Sequence, residues 1–197
     1  MPAFYYDLGS PYAWLTAERI RGVTWVPVLL GGIFRATGRS SWAETERRAE
    51  GIAEIERRAR DRGLPAPRWP KPWPNDGLLA MRAAAHVDDE RFALAAFRVH
   101  FVEGLPLSDP ANVALAAERV GLDGAAVLEA TRDPAVKDRL RANTEAAIAA
   151  GVFGVPTLVR ETGEVLFGDD IIPDDAGGGD SAGAGGEVAG AGGGASV

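Results

Sequence analysis

The sequence predicts an α/β protein in which a strand–helix–strand unit and a C-terminal β-hairpin share one sheet, with an all-helical block inserted between them. Three observations predict it. An aromatic run, a helix start and a second apolar run follow one another within about thirty residues, as a parallel unit with a right-handed crossover requires. The stretch from Gly31 to Gly151 then reads as helical, and apolar runs return after Gly151 around a short turn. The expected organisation is residues 1–35 for the strand–helix–strand unit, 36–150 for the helical insertion, 151–172 for the hairpin, and 173–197 for a low-complexity tail.

Residues 3–8 (Ala-Phe-Tyr-Tyr-Asp-Leu) suit a strand buried in a sheet. Gly9-Ser10-Pro11 gives a turn, an N-cap and a proline at the first helical position. The helix is predicted over 12–21, with Tyr12, Leu15 and Ile20 on one face and Gly22 as its stop. A second strand is predicted over 24–30. Pro27 inside it points to an edge or a bulge, because proline cannot donate to a ladder.

Residues 42–62 are dense in Glu and Arg, with Glu44/Arg48, Glu54/Arg58 and Glu56/Arg60 four apart. Most of these charges read as a solvated helix face. Residues 64–74 hold five prolines and two tryptophans, so they form a stiff extended loop. Asn75 or Asp76 is expected to cap a helix over Leu78–Val87. A buried helix follows over 90–103. Asp109-Pro110 and Asp133-Pro134 open two more, over 111–120 and 135–150, which Gly121 and Gly151 stop. Strands over 155–160 and 164–167 flank the turn Glu161-Thr162-Gly163. From 176 to 197, ten of 22 residues are glycine, and such a segment is expected to be disordered because it has little to bury against its ordering entropy.

The chain has 197 residues, 46% of them hydrophobic and 25% charged, with a formal net charge of −7. That balance argues against nucleic-acid binding, which needs clustered Lys and Arg. No run reaches the ~20 apolar residues of a membrane helix, and the N-terminus has no basic-then-apolar pattern of a signal peptide. A cytoplasmic location is expected. There is no cysteine, so protein-borne disulfides and thiol–disulfide exchange are excluded. With only His86 and His100 as imidazoles, no zinc site is expected.

Three features carry possible chemistry. Ser10 before Pro11 is, alone, a common helix cap. Its functional reading is a hydroxyl at a positive helix end that donates to a bound thiolate and lowers its pKa. In Gly154-Val155-Pro156-Thr157 the proline is either a plain strand start or a cis residue marking a specific turn. In Phe167-Gly168-Asp169-Asp170 the acids are either solvated or hold an α-amino group.

Together these residues resemble the family of 2-hydroxychromene-2-carboxylate isomerases and kappa-class glutathione transferases, which are DsbA-like thioredoxin-fold proteins. The resemblance runs from about Phe4 to Asp170. It is carried by Phe4-Tyr5-Tyr6-Asp7-Leu8-Gly9-Ser10-Pro11-Tyr12, Gly32-Ile33-Phe34-Arg35-Ala36-Thr37-Gly38, Trp73-Pro74-Asn75, Ala80-Met81-Arg82-Ala83, Gly151-Val152-Phe153-Gly154-Val155-Pro156-Thr157 and Phe167-Gly168-Asp169-Asp170.

The resemblance implies a thioredoxin-like core with a helical insertion and glutathione as cofactor, its cysteinyl unit paired with the backbone of Val155 beside a cis Pro156. Ser10 would hydrogen-bond the glutathione sulfur as a thiolate stabiliser rather than a nucleophile, since neither histidine lies close in sequence to activate it. Asp170, and after it Asp169, would hold the γ-glutamyl end. Arg48 is a candidate for a glutathione carboxylate, with a solvated helix arginine as the alternative. Tyr12, Trp73 and Asn75 are expected at a pocket for a small aromatic or conjugated substrate, with plain packing as the other account of the tryptophans. In the isomerases the thiolate is thought to add to a conjugated carbonyl, allowing rotation before elimination. A non-catalytic thioredoxin-like binding protein is the alternative function.

The sequence also departs from the family. Arg39 stands where the transferases tend to have asparagine. After Asp170, where an arginine and a closing apolar helix are usual, Ile171 and the glycine-rich tail follow. A sheet face left bare in this way points to a homodimer.

Overall fold

A computed structural model describes residues 1–171. The expected disorder of 173–197 lies outside the described residues. Strand β1 (Ala3–Tyr6) leads into helix α1 (Pro11–Ala17), then β2 (Thr24–Pro27) and α2 (Leu30–Thr37). A 3-10 turn (Trp42–Glu44) precedes α3 (Arg48–Asp61). Helices α4 (Leu78–Val87), α5 (Glu90–Phe101), α6 (Pro110–Glu118), α7 (Gly124–Ala130) and α8 (Pro134–Ala149) follow. Strands β3 (Thr157–Val159) and β4 (Val165–Phe167) and a 3-10 turn (Asp169–Ile171) complete the described chain.

The strands form one four-stranded sheet in the order β2-β1-β3-β4. β1 runs parallel to β2, with Phe4 opposite Trp25 and Tyr6 opposite Pro27. β1 and β3 are antiparallel, as are β3 and β4. The sheet therefore joins the first and last strands of the described chain, with the helical insertion between them. Pro27 ends an edge strand, as its missing N–H requires.

Strand alternation gives the sheet two apolar faces. Phe4 and Tyr6 pack with Trp14, Phe97 and Phe101 in the main core. Val28, Ile33, Ala147, Val152 and Val155 form a smaller cluster, against which Tyr5 and Val159 lie partly buried. Among the described residues no helix is long and apolar enough to cross a membrane.

Aspartate caps build the helical block. Asp109, Asp123 and Asp133 each accept from an amide two residues on, at 2.8–2.9 Å. Asp76, rather than Asn75, takes the Leu78 amide at 2.9 Å at the start of α4.

Several predicted boundaries need correction. The helix predicted over 12–21 ends at Ala17. There the Arg19 and Ile20 amides both bond to Thr16 O, while the Thr16 hydroxyl back-bonds to Tyr12 O at 3.2 Å. The strand predicted over 24–30 stops at Pro27 because α2 begins at Leu30. Helix α2 opens the stretch that reads as helical from Gly31, although no separate helix is predicted there. It has no local side-chain cap; instead the Leu30 amide donates to Asp7 Oδ2, 23 positions back, at 2.8 Å. Gly32 packs closely on α8, where a Cβ would lie 3.2 Å from the Thr144 methyl. Helix α7 was likewise missed.

Candidate functional site

Asp7, at the end of β1, organises the turn that follows. Its carboxylate accepts the Gly9 amide and the Leu30 amide, each at 2.8 Å, tying the turn to the start of α2. Burial pushes its pKa up against those two hydrogen bonds, which pull it down. The Leu8 amide is buried and donates to Met81 Sδ at 3.2 Å. Ser10 is thus presented by a backbone pinned on both sides.

Ser10 is 5% exposed. Its Oγ accepts the Ala13 amide at 3.2 Å, a cap at the start of α1, and its O–H has no acceptor among the described residues. Ser10 lines a cleft of about 160 Å³ with Tyr12, Trp42, Trp73, Phe153 and Val155. The Val155–Pro156 bond is cis. β3 starts only at Thr157, so the Val155 N–H and C=O stand outside the sheet ladder.

The Tyr12 hydroxyl donates to Glu54 at 3.1 Å. Burial first, and the Glu54 carboxylate second, push the phenol up to about 12, so it stays protonated. Tyr12 also stands edge-on to Trp42, whose indole lies 5.6 Å from that of Trp73. The Trp42 ring packs on Gly51 of α3, where a Cβ would come within 2.3 Å of it. On the opposite side Phe153 lies 4.7 Å from Phe167, whose ring fills the space that a Cβ on Gly154 would take.

The remaining expected site residues lie elsewhere. Arg48 donates to the Trp73 carbonyl and lies over that ring at 5.7 Å, so it holds the tryptophan loop and does not line the cleft. Asn75 donates to Pro72 O at 3.1 Å and lines a separate cavity with Asp7 and Met81. Pro156 is buried and does not line the cleft. Asp169 is buried and paired with Arg58 at 2.7 Å and with Arg62. Asp170 is exposed and reaches Arg62 at 2.8 Å and Arg58 at 3.1 Å. The structure therefore gathers Ser10, Tyr12, Trp73 and Val155 in one cleft, and places Arg48, Asn75, Asp169 and Asp170 outside it. The expectation that most charges over 42–62 are solvated is corrected for Arg58 on α3 and Arg62 just after it, which hold the segment after β4. The four-residue Glu54/Arg58 spacing does form an ion pair, at 2.8 Å.

Sequence reasoning did not assign Trp42, Phe153 and Phe167 to the cleft. Phe153 and Phe167 sit two residues before Val155 and at the end of β4, and their positions flanking the proline turn were the available signal. Trp42 gave no such signal, because its place depends on Gly51.

A mixed sheet of this order, with a proline turn beside a helix-capping serine, defines a thioredoxin-like α/β protein. Residues 3–174 match the family model of the DSBA-like thioredoxin domain, and the chain belongs to that family. An uncharacterised protein of Mycobacterium tuberculosis is 34% identical over 101 residues, which cover 51% of this chain and 43% of that one. Human glutathione S-transferase kappa 1 is 26% identical over 84% of each chain. Among solved structures, a 2-hydroxychromene-2-carboxylate isomerase superposes with a TM-score of 0.75 at 25% identity, covering 86% of this chain and 89% of that one. A probable DsbA oxidoreductase from Streptomyces coelicolor superposes at 0.59 with 20% identity over 86% and 83%, a likeness of fold.

Proposed function

We propose that this protein is a glutathione-dependent isomerase or transferase acting on a small conjugated or aromatic electrophile in the Ser10 cleft. One observation carries the reading: Ser10, with an uncommitted hydroxyl proton, and Val155, with backbone groups outside the ladder, line the same cleft of a chain that has no cysteine. The residues present fit the thiol end of glutathione. Val155 would hold the cysteinyl backbone, and the Ser10 hydroxyl would donate to the sulfur, a charge-assisted bond that favours the thiolate. Bound there, glutathione supplies a nucleophile for reversible addition to a conjugated carbonyl. Trp42, Trp73 and Phe153 give the electrophile an apolar, aromatic wall. Tyr12, protonated and committed to Glu54, is a wall and not a base.

A second reading, a thioredoxin-like binding protein without catalysis, is favoured by a different observation. Both acids expected to hold the γ-glutamyl amine are engaged by Arg58 and Arg62. Thermal unfolding with and without millimolar glutathione separates the readings. A ligand of the native state raises the midpoint, by an amount that grows with the logarithm of its concentration. The isomerase or transferase reading predicts such a rise; an unmoved midpoint contradicts it.

A further inference from the structure

A second cavity, of about 270 Å³, lies between the start of β2 and the corner that joins α4 to α5, and it shares no lining residue with the Ser10 cleft. Its lining carries three consecutive acids, Asp88, Asp89 and Glu90, and no basic residue. Arg91 neutralises Asp89 at 2.6 Å, whereas Asp88 and Glu90 have no ion pair among the described residues. Acids at a helix corner are commonplace, and alone they read as a solvated edge. A group from the sheet sets this corner apart.

Tyr6, on the inner strand β1, is 2% exposed and packs its ring against Phe4, Trp25 and Phe97. Its hydroxyl makes no hydrogen bond among the described residues. Nor is that oxygen one of the polar atoms sealed away from solvent, so it opens on the cavity that Tyr6 lines. A buried hydroxyl without a partner is costly, and this one takes its partner from whatever occupies the cavity. Burial first, then the Asp88 and Asp7 carboxylates, push the phenol's pKa up, so it stays neutral and its oxygen can accept. Trp25 lines the same cavity, but its indole nitrogen is sealed from solvent, so it offers ring surface only.

The matching occupant is a cation that donates hydrogen bonds and tolerates an apolar wall. A metal ion does not fit, because among the described residues no three His, Cys, Asp or Glu side chains stand close enough together to hold one. We propose that this cavity binds a small primary ammonium compound, with an N–H on the Tyr6 hydroxyl and its charge facing Asp88 and Glu90. The site is separate from the Ser10 cleft and does not depend on what binds there. Its volume, below the ~300 Å³ at which drug-sized pockets begin, limits the ligand to a head group and a few carbons.

Titration calorimetry on the full chain tests this with three probes of matched size. They are n-butylammonium, its isomer tetramethylammonium, which has the charge but no N–H, and n-butanol, which has no charge. The wild type should bind n-butylammonium about tenfold more tightly than either of the others. Tyr6→Phe keeps the ring and should erase the lead over tetramethylammonium. Asp88→Asn suits the left-handed backbone there (φ 52°) and should cut the lead over n-butanol about threefold, an effect that shrinks as salt rises. Glu145→Gln, the same change of charge at an exposed position outside the cavity, should alter neither lead. Near-ultraviolet dichroism checks the fold of each variant, and Asp88→Asn decides alone if Tyr6→Phe does not fold. Four results overturn the proposal: no binding of n-butylammonium, equal binding of all three probes, a lead that survives its variant, or an equal loss in Glu145→Gln.

Discussion

The Ala13 amide donates to the Ser10 hydroxyl oxygen at 3.2 Å, so Ser10 caps α1 with a lone pair and keeps its proton for the cleft. Capping and ligand binding are compatible here, and mutation separates them. Ser10→Ala loses the cap, lowering the unfolding free energy in urea by about 1 kcal/mol. Ser10→Thr keeps both oxygen and proton and should restore most of that stability.

Gly51 is the fourth residue of α3, where alanine would normally favour the helix by up to about 1 kcal/mol. Here the added Cβ meets two Trp42 ring carbons at 2.3 Å. Gly51→Ala is therefore expected to destabilise by about 1–3 kcal/mol and to change the near-ultraviolet dichroism as the indole is displaced. Gly77, with nothing within 4 Å of a built Cβ, is the control. Its alanine variant should leave that spectrum unchanged.

The Arg62–Asp169 pair is buried on both sides, with 5% and 4% of the side chains exposed. Removing Arg62 takes one of two guanidiniums from the buried Asp169, which keeps Arg58 at 2.7 Å. Arg62→Ala should therefore cost about 2 kcal/mol by urea unfolding, less than the loss of a fully unpaired buried charge. Asp170 is 75% exposed, so Asp170→Ala should cost under about 1 kcal/mol although it touches the same arginines. Equal losses in the two variants would mean that the buried pair does not hold the segment after β4.

His100 is enclosed in the core beside Phe101, its Nδ1 3.1 Å from Leu105 O, a contact that fits a neutral ring donating from that nitrogen. Burial lowers its pKa from 6.5 to about 4. The unfolded chain thus binds the proton more readily, and stability is lost as pH falls from about 6.5 toward about 4. The loss is on the order of 3 kcal/mol. Urea midpoints measured across that window should fall in the wild type and stay flatter in His100→Gln.

Legibility in the sequence followed the range of the interaction that decides each element. Asp109 and Asp133 cap helices from one residue away, and Gly121 and Gly151 end the stretches that follow in left-handed backbone, so those helices could be read locally. Helix α2 could not, because its first amide is bonded by Asp7, far back in the chain. The site divides in the same way. Ser10 and Val155 belong to local motifs, and both line the cleft. Asp170, and after it Asp169, read in sequence as acids open to a ligand amine. Their engagement depends on Arg58 and Arg62, more than a hundred positions away, and no spacing pattern reveals it.

The central claim is that the Ser10 hydroxyl stabilises a thiolate in this cleft. The most direct test is the titration of glutathione bound to the protein, followed by ultraviolet thiolate absorbance against pH, in the wild type and in Ser10→Ala. The account predicts a bound thiol pKa below that of free glutathione, rising by about one unit when the hydroxyl is removed. Identical titrations in the two proteins would contradict it.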